Sequence, residues 1–205
     1  MRVATDITGL VLAGGRGSRM GGLDKGLQSF QGQPLAQHCL NRLGRQVNTV
    51  AINANRHLEL YRAWGVPVWQ DSPPTGQFAG PLAGFLVGMQ HCQTPYVCTV
   101  ACDTPLFPTD LVDRLAAILV EKNVDIVMAA AAQEDGQVQT QPVFCLLKVA
   151  LRDRLRAFME KGGRKIDAWT AGETTALAHF DRPGDDPRAF FNANTFDQLR
   201  QLERL

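Results

Sequence analysis

Residues 10–25 read Leu10-Val-Leu-Ala-Gly-Gly-Arg-Gly-Ser-Arg-Met-Gly-Gly-Leu-Asp-Lys25 and lead from an apolar run into a glycine-rich loop. The apolar run 7–13 predicts a buried strand that stops at Gly14, where a glycine lets the backbone approach a ligand closely. Successive peptide N–H groups of such a loop can form a concave anion site, and the side chains of Arg19 and Lys25 add positive charge. The stretch therefore predicts phosphate binding at the carboxyl end of a strand.

Two common phosphate-binding motifs do not account for this loop. A Walker A loop places Lys directly after its last glycine, whereas Lys25 here precedes Gly26. The dinucleotide fingerprint G-x-G-x-x-G can be aligned on Gly15 and Gly17, but Met20 stands at its last position. A glycine-rich surface loop that only closes a strand is the structural alternative. The basic side chains beside a strand end favour phosphate binding, because open α/β sheets bind ligands there.

The composition is typical of one globular domain. The chain has 205 residues, is 45% hydrophobic and carries a formal net charge of +1, so it has no general attraction for nucleic acid or for an anionic membrane. We expect a single domain over residues 1–205 without nucleic-acid or membrane partners. No apolar stretch approaches the roughly 20 residues of a membrane span, and the N-terminus lacks a secretory pattern, which predicts a cytoplasmic protein. Five scattered cysteines predict reduced, mostly buried thiols.

Strand-like and helix-like segments alternate along the chain. The strands before residue 103 are short apolar runs joined through helices, which is typical of a mostly parallel sheet covered on both faces; the later strands allow a mixed sheet. We expect a three-layer α/β/α sandwich, with Thr195 as the N-cap of the last helix. The polar stretch 132–141 favours an exposed hairpin over a mobile flap. The expected strands are 7–13, 48–54, 66–70, 96–101, 124–131 and 142–147, and the expected helices are 34–45, 57–64, 81–92, 109–122, 150–161 and 195–205.

A carboxylate follows the strand expected at the centre of the sheet. Asp103 comes directly after the run 96–102 and should face the same crevice as the glycine-rich loop. Mg²⁺ at phosphate sites is usually held by one or two carboxylates together with phosphate oxygens, so we predict Asp103 as a metal ligand. The alternative is an N-cap for the next helix, but Pro105 and Pro108 delay that helix and Thr109 is the better placed cap.

Polar side chains also end the second and third strands. Asn53 and Asp71 should lie at the same sheet edge, where they could bind a base or a ribose hydroxyl; ordinary polar turns are the alternative at both positions. The segment Gly80-Pro-Leu-Ala-Gly84 adds a second glycine-flanked helix start, whose N–H groups could bind another anion.

Six segments of the chain carry a resemblance to a known family. They are Leu12-Ala-Gly-Gly15, Arg19-Met-Gly-Gly-x-Asp-Lys25, Asn53-Ala-Asn-Arg56, Gly80-Pro-Leu-Ala-Gly84, Cys102-Asp-Thr-Pro105 and Asn192-Ala-Asn-Thr195. Together they resemble the bacterial molybdenum cofactor guanylyltransferases. The first two segments are shared with a wider nucleotidyltransferase group that includes sugar-phosphate and cytidylyl enzymes, and the two Asn-x-Asn segments favour the guanylyl branch. The chain departs from the family pattern in residues 74–79, before Gly80.

The resemblance implies a fold of the nucleotide-diphospho-sugar transferase type and a transfer of GMP from Mg-GTP to the terminal phosphate of molybdopterin or its molybdenum adduct, with release of pyrophosphate. It implies other cofactor-biosynthesis proteins and client molybdoenzymes as further partners. The implied nucleotide-binding residues are Leu12, Ala13, Gly14, Gly15, Lys25, Asn53, Asp71 and Asp103. The implied acceptor-binding residues are Arg164, Lys165, Asn192 and Asn194, together with the segment 140–142.

The implied chemistry needs no catalytic base, because a phosphate nucleophile is already anionic at neutral pH. Lys25 and Arg19 are therefore expected to stabilise charge on the transferred phosphoryl group and on pyrophosphate, while Asp103 holds Mg²⁺. Residues 12–14 are expected to face the base and ribose, and residues 15–25 the phosphates. A CTP donor, a sugar-phosphate acceptor and a nucleotide carrier without chemistry remain as alternatives.

Overall fold

The computed structural model describes residues 3–15, 23–71, 80–132 and 137–203. The prediction for Arg19 and the family departure at residues 74–79 lie outside these ranges. The strands are β1 Ile7–Leu12, β2 Ser29–Phe30, β3 Gln33–Pro34, β4 Thr49–Asn53, β5 Val68–Trp69, β6 Tyr96–Ala101, β7 Ile126–Ala132, β8 Val138–Lys148 and β9 Thr175–Phe180. The helices are α1 Val3–Asp6, α2 Leu35–Leu43, α3 Leu58–Arg62, α4 Pro81–His91, α5 Leu111–Lys122, α6 Arg152–Glu160, α7 Ile166–Thr170 and α8 Phe196–Glu203, with 3₁₀ turns at Lys25–Leu27 and Val149–Leu151.

Seven of these strands form one sheet in the order β5-β4-β1-β6-β8-β7-β9. Strand β1 pairs in parallel with both β4 and β6, and β4 with β5. In the other half, β8 runs antiparallel to β6 and β7, while β7 and β9 are parallel. The sheet is therefore mostly parallel with one antiparallel strand, as the sequence predicts.

Helices cover both faces of the sheet. Because successive side chains of a strand point to opposite faces, Leu10 packs into one hydrophobic cluster and Val11 into the other, and both are fully buried. The Val11 cluster includes Leu43 of α2 and Leu115 of α5. The Leu10 cluster includes Phe85 of α4, as well as residues of α6 and α7. The expected three-layer sandwich is confirmed.

Several local predictions are confirmed. Ala132 pairs with Val138, so the consecutive antiparallel strands β7 and β8 form the expected hairpin. The Gln198 N–H donates to Thr195 Oγ1 at 3.2 Å, which makes Thr195 the N-cap of α8. All five cysteines are free thiols and four of them are buried. Burial raises the pKa of Cys98 to about 12. No helix within the described ranges is both long and apolar enough to cross a bilayer.

Other predictions are wrong in detail. Helix α5 begins at Leu111 after Asp110, so Thr109 is not its cap. Asp103 does not cap it either. An apolar strand is expected to end before His179, but strand β9 runs to Phe180 and includes His179, whose exposed side chain interrupts the apolar pattern. The short α7 and the two-residue strands β2 and β3 were also missed, since elements of this length carry too little periodicity.

Candidate active site

Three neighbouring strands end in register at one edge of the sheet. Leu12 of β1 lies opposite Asn53 of β4 on one side and opposite Ala101 of β6 on the other. The pairing continues one residue beyond the strands, because the Ala13 N–H donates to the Asn53 carbonyl at 2.8 Å and the Cys102 N–H to the Leu12 carbonyl at 3.2 Å. The chain segments that follow these strands therefore leave the sheet side by side, at the edge where parallel sheets bind ligands.

Lys25 and Asp103 form an ion pair at this edge. Lys25 opens the 3₁₀ turn that follows the glycine-rich loop, and its Nζ lies 3.2 Å from Asp103 Oδ2. Their side chains are 19% and 16% exposed, so the pair is largely screened from water yet still accessible. Lys25 Nζ also donates to Asn194 Oδ1 at 2.5 Å. One ammonium group thus connects the 3₁₀ turn after the glycine-rich loop with the end of β6 and with a segment near the C-terminus.

The segment 192–194 is fixed against the residues that follow β6. The Ala193 N–H donates to the Asp103 carbonyl at 2.8 Å, and the hydroxyl of the buried Thr104 donates to Asn192 Oδ1 at 2.5 Å. The Asn194 N–H donates to Gln198 Oε1 at 3.0 Å, which ties the segment to α8. Asn192 and Asn194 therefore lie beside the Lys25–Asp103 pair, and their expected contact with an acceptor stays a prediction.

A second polar cluster lies at the ends of β4 and β5. The Asn53 side-chain amide donates to Asp71 Oδ1 at 2.9 Å and to the Trp69 carbonyl at 3.1 Å. The Asn55 amide donates to Asp71 Oδ2 at 2.8 Å and to the Gly14 carbonyl at 3.2 Å, and Asn55 Oδ1 accepts from the Asp71 N–H at 2.9 Å. Each oxygen of the Asp71 carboxylate is thus held by a different amide. Sequence reasoning quoted Asn55 within the Asn53–Arg56 motif but did not assign it a role.

Two glycines are required for this cluster to pack. A Cβ on Gly14 would lie 2.8 Å from both Asn53 Oδ1 and Asn55 Nδ2, and a Cβ on Gly84 would lie 2.7 Å from Asn53 Oδ1. These separations are shorter than van der Waals contact, so only glycine fits. For Gly15, in contrast, none of the described residues lies within 4 Å of an added Cβ. Leu12 and Ala13 contribute to the packed base of the site, where Ala13 is buried and Leu12 is half-buried.

Arg164 and Lys165 lie in the link between α6 and α7, near the start of α4. Gly80 there has a φ of +84°, and a Cβ added to it would lie 3.9 Å from the Arg164 carbonyl. Arg164 NH1 donates to the Met159 and Gly163 carbonyls, both at 2.7 Å, and Lys165 is exposed. Across the described ranges no hydrogen bond joins Arg164 or Lys165 to Lys25 or Asp103. The structure therefore brings this basic pair to the second glycine-flanked helix start, apart from the ion pair.

The site does not carry a nucleophilic thiol. Cys102 precedes Asp103, but burial, assisted by the charge of Asp103, raises the pKa of its thiol well above the usual value. Among the described residues no group of three His, Cys, Asp or Glu side chains could hold a metal by itself. The arrangement can instead bind an anion through Lys25 and orient a ligand through the Asp71 cluster.

A mostly parallel sheet that carries a Lys–Asp pair and a held carboxylate at its carboxyl edge is typical of α/β proteins that bind a nucleotide there. The molybdenum cofactor guanylyltransferase of Albidiferax ferrireducens is 60% identical over 206 residues, which cover 98% of this chain and 97% of that protein. The chain belongs to the MobA-like NTP transferase domain family, whose model matches residues 9–202, and within it to the molybdenum cofactor guanylyltransferases.

Two further comparisons agree. The molybdenum cofactor guanylyltransferase of Bordetella petrii is 57% identical over 198 residues, covering 97% of both chains. The crystal structure of molybdopterin-guanine dinucleotide biosynthesis protein A from Archaeoglobus fulgidus superposes with a TM-score of 0.75 at 18% identity, covering 96% of this chain and 97% of that one. The resemblance and the fold class that the sequence predicts are confirmed.

Proposed function

We propose that this chain transfers GMP from GTP to the terminal phosphate of molybdopterin, or of its molybdenum adduct, and releases pyrophosphate. This substrate pair is supported by relatives, 57–60% identical over nearly their whole length, that are named molybdenum cofactor guanylyltransferases. The observation that carries the chemistry is the Lys25–Asp103 pair, a cation and a carboxylate 3.2 Å apart at the sheet edge where nucleotides bind.

The reaction is an in-line displacement at phosphorus. An oxygen of the acceptor phosphate attacks the α-phosphorus of GTP, the bond from that phosphorus to the bridging oxygen breaks, and pyrophosphate leaves with the electron pair. The acceptor oxygen carries no proton that must be removed at neutral pH, so positioning and charge neutralisation are the main requirements. In this proposal the Lys25 ammonium donates to phosphate oxygens, and Arg19 adds a second positive charge to the same loop.

The residues at the end of β6 fit a divalent cation. Asp103 Oδ2 accepts from Lys25, whereas among the described residues Oδ1 has only a 3.5 Å contact from the Thr104 hydroxyl and keeps lone pairs for a ligand. One carboxylate oxygen completed by phosphate oxygens and water is a usual environment for Mg²⁺. We propose that Asp103 holds Mg²⁺, which when bound supplies neutralisation of the triphosphate charge.

The Asp71 cluster supports guanine as the base. Asn53 and Asn55 each donate to one Asp71 oxygen, which fixes the carboxylate and leaves further lone pairs to accept from a ligand. Guanine offers a carboxylate two adjacent donors at N1 and N2, whereas cytosine offers one donor, its N4 amino group, beside acceptors at N3 and O2. A held carboxylate thus favours GTP over CTP, with the backbone of residues 12–14 close to the base and ribose.

We further propose that the acceptor binds between the segment 192–194 and the start of α4. Arg164 and Lys165 there provide positive charge for a phosphate. In this role, residues 1–205 act as one cytoplasmic domain that passes its product to other cofactor-biosynthesis proteins or to client molybdoenzymes.

The test is pyrophosphate release from a panel of nucleoside triphosphates, with and without molybdopterin and with and without Mg²⁺. Release that requires GTP, molybdopterin and Mg²⁺ together is the expected result. Release with CTP, or with a sugar phosphate in place of molybdopterin, would identify one of the related transferases. GTP binding without any release under all conditions would identify a nucleotide carrier and contradict the proposal.

A further inference from the structure

Asp24, the residue before Lys25, has a buried carboxyl group that the transfer chemistry does not use. It is 5% exposed. Its Oδ1 accepts from the Tyr61 hydroxyl at 2.8 Å and from the Gly26 N–H at 3.1 Å. Its Oδ2 is buried and has no hydrogen-bond partner among the described residues. Burial of a carboxyl group with one oxygen unpaired is costly, so this arrangement calls for a reason.

Tyr61 holds the Asp24 carboxyl group through the hydrogen bond from its hydroxyl group. It is fully buried on α3, with its ring edge-on to Trp64 at 5.1 Å between ring centroids. Burial, with the nearby Asp24 carboxyl, raises the pKa of Tyr61, so its hydroxyl keeps its proton and donates it. A Cβ at Gly26 would collide with that hydroxyl oxygen, so glycine is the one residue that fits there. Asp24, Gly26 and Tyr61 are therefore interlocked.

The hydrogen bonds among Tyr61, Asp24 and Gly26 fix the backbone on both sides of Lys25. Asp24 is the N-cap of the 3₁₀ turn Lys25–Leu27, and its own carbonyl accepts from the Gln28 side chain at 2.9 Å. Lys25 stands between the carboxyl group and the Gly26 N–H that donates to it, so its Cα cannot move without breaking that bond. From this turn the Lys25 side chain reaches Asp103 and Asn194, to which its Nζ donates hydrogen bonds.

We propose that Asp24 and Tyr61 are positioning residues that hold Lys25 in its reactive place through the Tyr61–Asp24–Gly26 hydrogen bonds. The expected effect on turnover rests on the proposed function. Asp24 acts here as an acceptor and not as a metal ligand, since its carboxyl group is enclosed beneath the turn and bonded to Tyr61 and Gly26.

Three variants separate this role from others. Asp24→Ala removes the acceptor and is expected to lower kcat by roughly 10²-fold, the loss typical of a misplacement of about 1 Å. Tyr61→Phe removes one hydrogen bond and should give a smaller loss in the same direction. Asp24→Asn keeps an oxygen that can accept from Tyr61 and Gly26, and is expected to restore most of the kcat lost in Asp24→Ala. Asp24→Asn as inactive as Asp24→Ala would mean that the charge itself is needed and would overturn the proposal.

Matched controls come from the other tyrosine and from a distant carboxylate. Tyr96→Phe, at the opposite end of β6, and Asp125→Ala, which loses bonds to Lys148 and Thr174, should leave kcat within about twofold. Melting temperatures of all variants show whether a loss of kcat follows a loss of folding.

The deciding measurement is a double-mutant cycle with Lys25→Ala. If Asp24 acts through Lys25, Asp24→Ala should change single-turnover transfer less than about twofold once Lys25 is already absent. An equal loss in both backgrounds would overturn the proposal. If the parent chain does not release pyrophosphate, the proposed function fails, and crystal structures then decide the positioning role alone. Lys25 Nζ displaced from Asp103 in Asp24→Ala but not in Asp125→Ala supports it, and an unchanged Lys25 contradicts it.

Discussion

Lys25 and Asn194 stand 169 residues apart in the sequence, and the Lys25 ammonium donates a hydrogen bond to the Asn194 side-chain oxygen at 2.5 Å. The same ammonium group pairs with Asp103, so one cation connects the 3₁₀ turn that begins at Lys25, the end of β6 and the segment 192–194 before α8. Because each of these contacts orients the others, the site should respond to changes at any of the three positions.

Removal of the cation should slow the transfer most. Lys25→Ala is expected to lower kcat by roughly 10²–10³-fold, the usual effect of deleting one electrostatic donor, because the developing charge on the phosphates then lacks its partner. Steady-state pyrophosphate release with GTP and molybdopterin measures this. Lys122→Ala, an exposed lysine at the end of α5, is the control and should match the parent. Lys25→Ala activity within threefold of the parent would contradict the proposed role.

Removal of the Asp103 carboxylate should lower the Mg²⁺-dependent turnover. Asp103→Ala is expected to fold, since its side chain lies at a strand end outside the hydrophobic clusters, but to lose most of its Mg²⁺-dependent activity. Calorimetric titration with GTP at several Mg²⁺ concentrations gives the affinity, and Asp113→Ala on α5 is the control. Unchanged affinity and turnover in Asp103→Ala would refute Asp103 as the metal ligand.

The contact between Asn194 and Lys25 predicts a loss in kcat rather than a loss in acceptor binding alone. Asn194→Ala frees one side of the Lys25 ammonium and is expected to lower kcat about tenfold. If Asn194 instead only contacts the acceptor, KM for molybdopterin rises and kcat stays near the parent value. Saturation kinetics in molybdopterin at fixed GTP distinguish the two outcomes.

Asn55 should influence the choice of nucleotide. Asn55→Ala removes the donor to Asp71 Oδ2 and the acceptor for the Asp71 N–H, so the carboxylate gains freedom to rotate. We expect the ratio of kcat/KM for GTP over CTP to fall about tenfold, equivalent to roughly 1.4 kcal/mol of discrimination. Asn41→Ala on α2 is a control away from the cluster. An unchanged ratio would show that Asp71 does not depend on Asn55.

Acid should weaken the contact of the 179–186 region with α5. Hydrogen bonds from Arg114 hold the pKa of Asp185 below its usual value, with a 2.7 Å contact between Arg114 NH1 and Asp185 Oδ1. A carboxyl group whose pKa is lower in the folded state stabilises the fold above its unfolded pKa, and this stabilisation is lost as pH falls through the folded pKa. The free energy of unfolding at pH 7 should therefore be larger for the parent than for Asp185→Asn.

The same difference should begin to shrink near pH 4, where the unfolded carboxyl group gains a proton, and should disappear below the lower pKa of the folded carboxyl group. Urea unfolding of the parent and Asp185→Asn at pH 7 and at pH 3.5 measures both differences. Asp153→Asn, on the exposed side of α6, is the control. A difference that stays constant across this range would contradict the assignment.

Local sequence patterns predicted much of the site. The apolar run before Gly14, the polar residues that end the strands and the proline-delayed helix after Asp103 are all signals carried by neighbouring residues. These signals predict that Lys25, Asn53, Asp71 and Asp103 lie at one edge of the sheet, and the structure places them there. Their roles in binding and transfer stay predictions. The sequence predicts an apolar strand before His179, but not its extension to Phe180 or its parallel pairing with β7, because partly exposed positions interrupt the apolar pattern and the pairing depends on tertiary contacts.

The sequence by itself determined the α/β class, the order of the main elements and the glycine-rich loop, because hydrophobic periodicity and glycine conformations act over a few residues. Only the tertiary structure decided that Asn194 meets Lys25, that Asn55 holds Asp71 and that Tyr61 locks Asp24. These contacts depend on the sheet order β4-β1-β6 and on how the helices pack beside the ends of these strands. The order of strands brings together side chains that are far apart in the sequence, and a pattern of neighbouring residues cannot predict which ones meet.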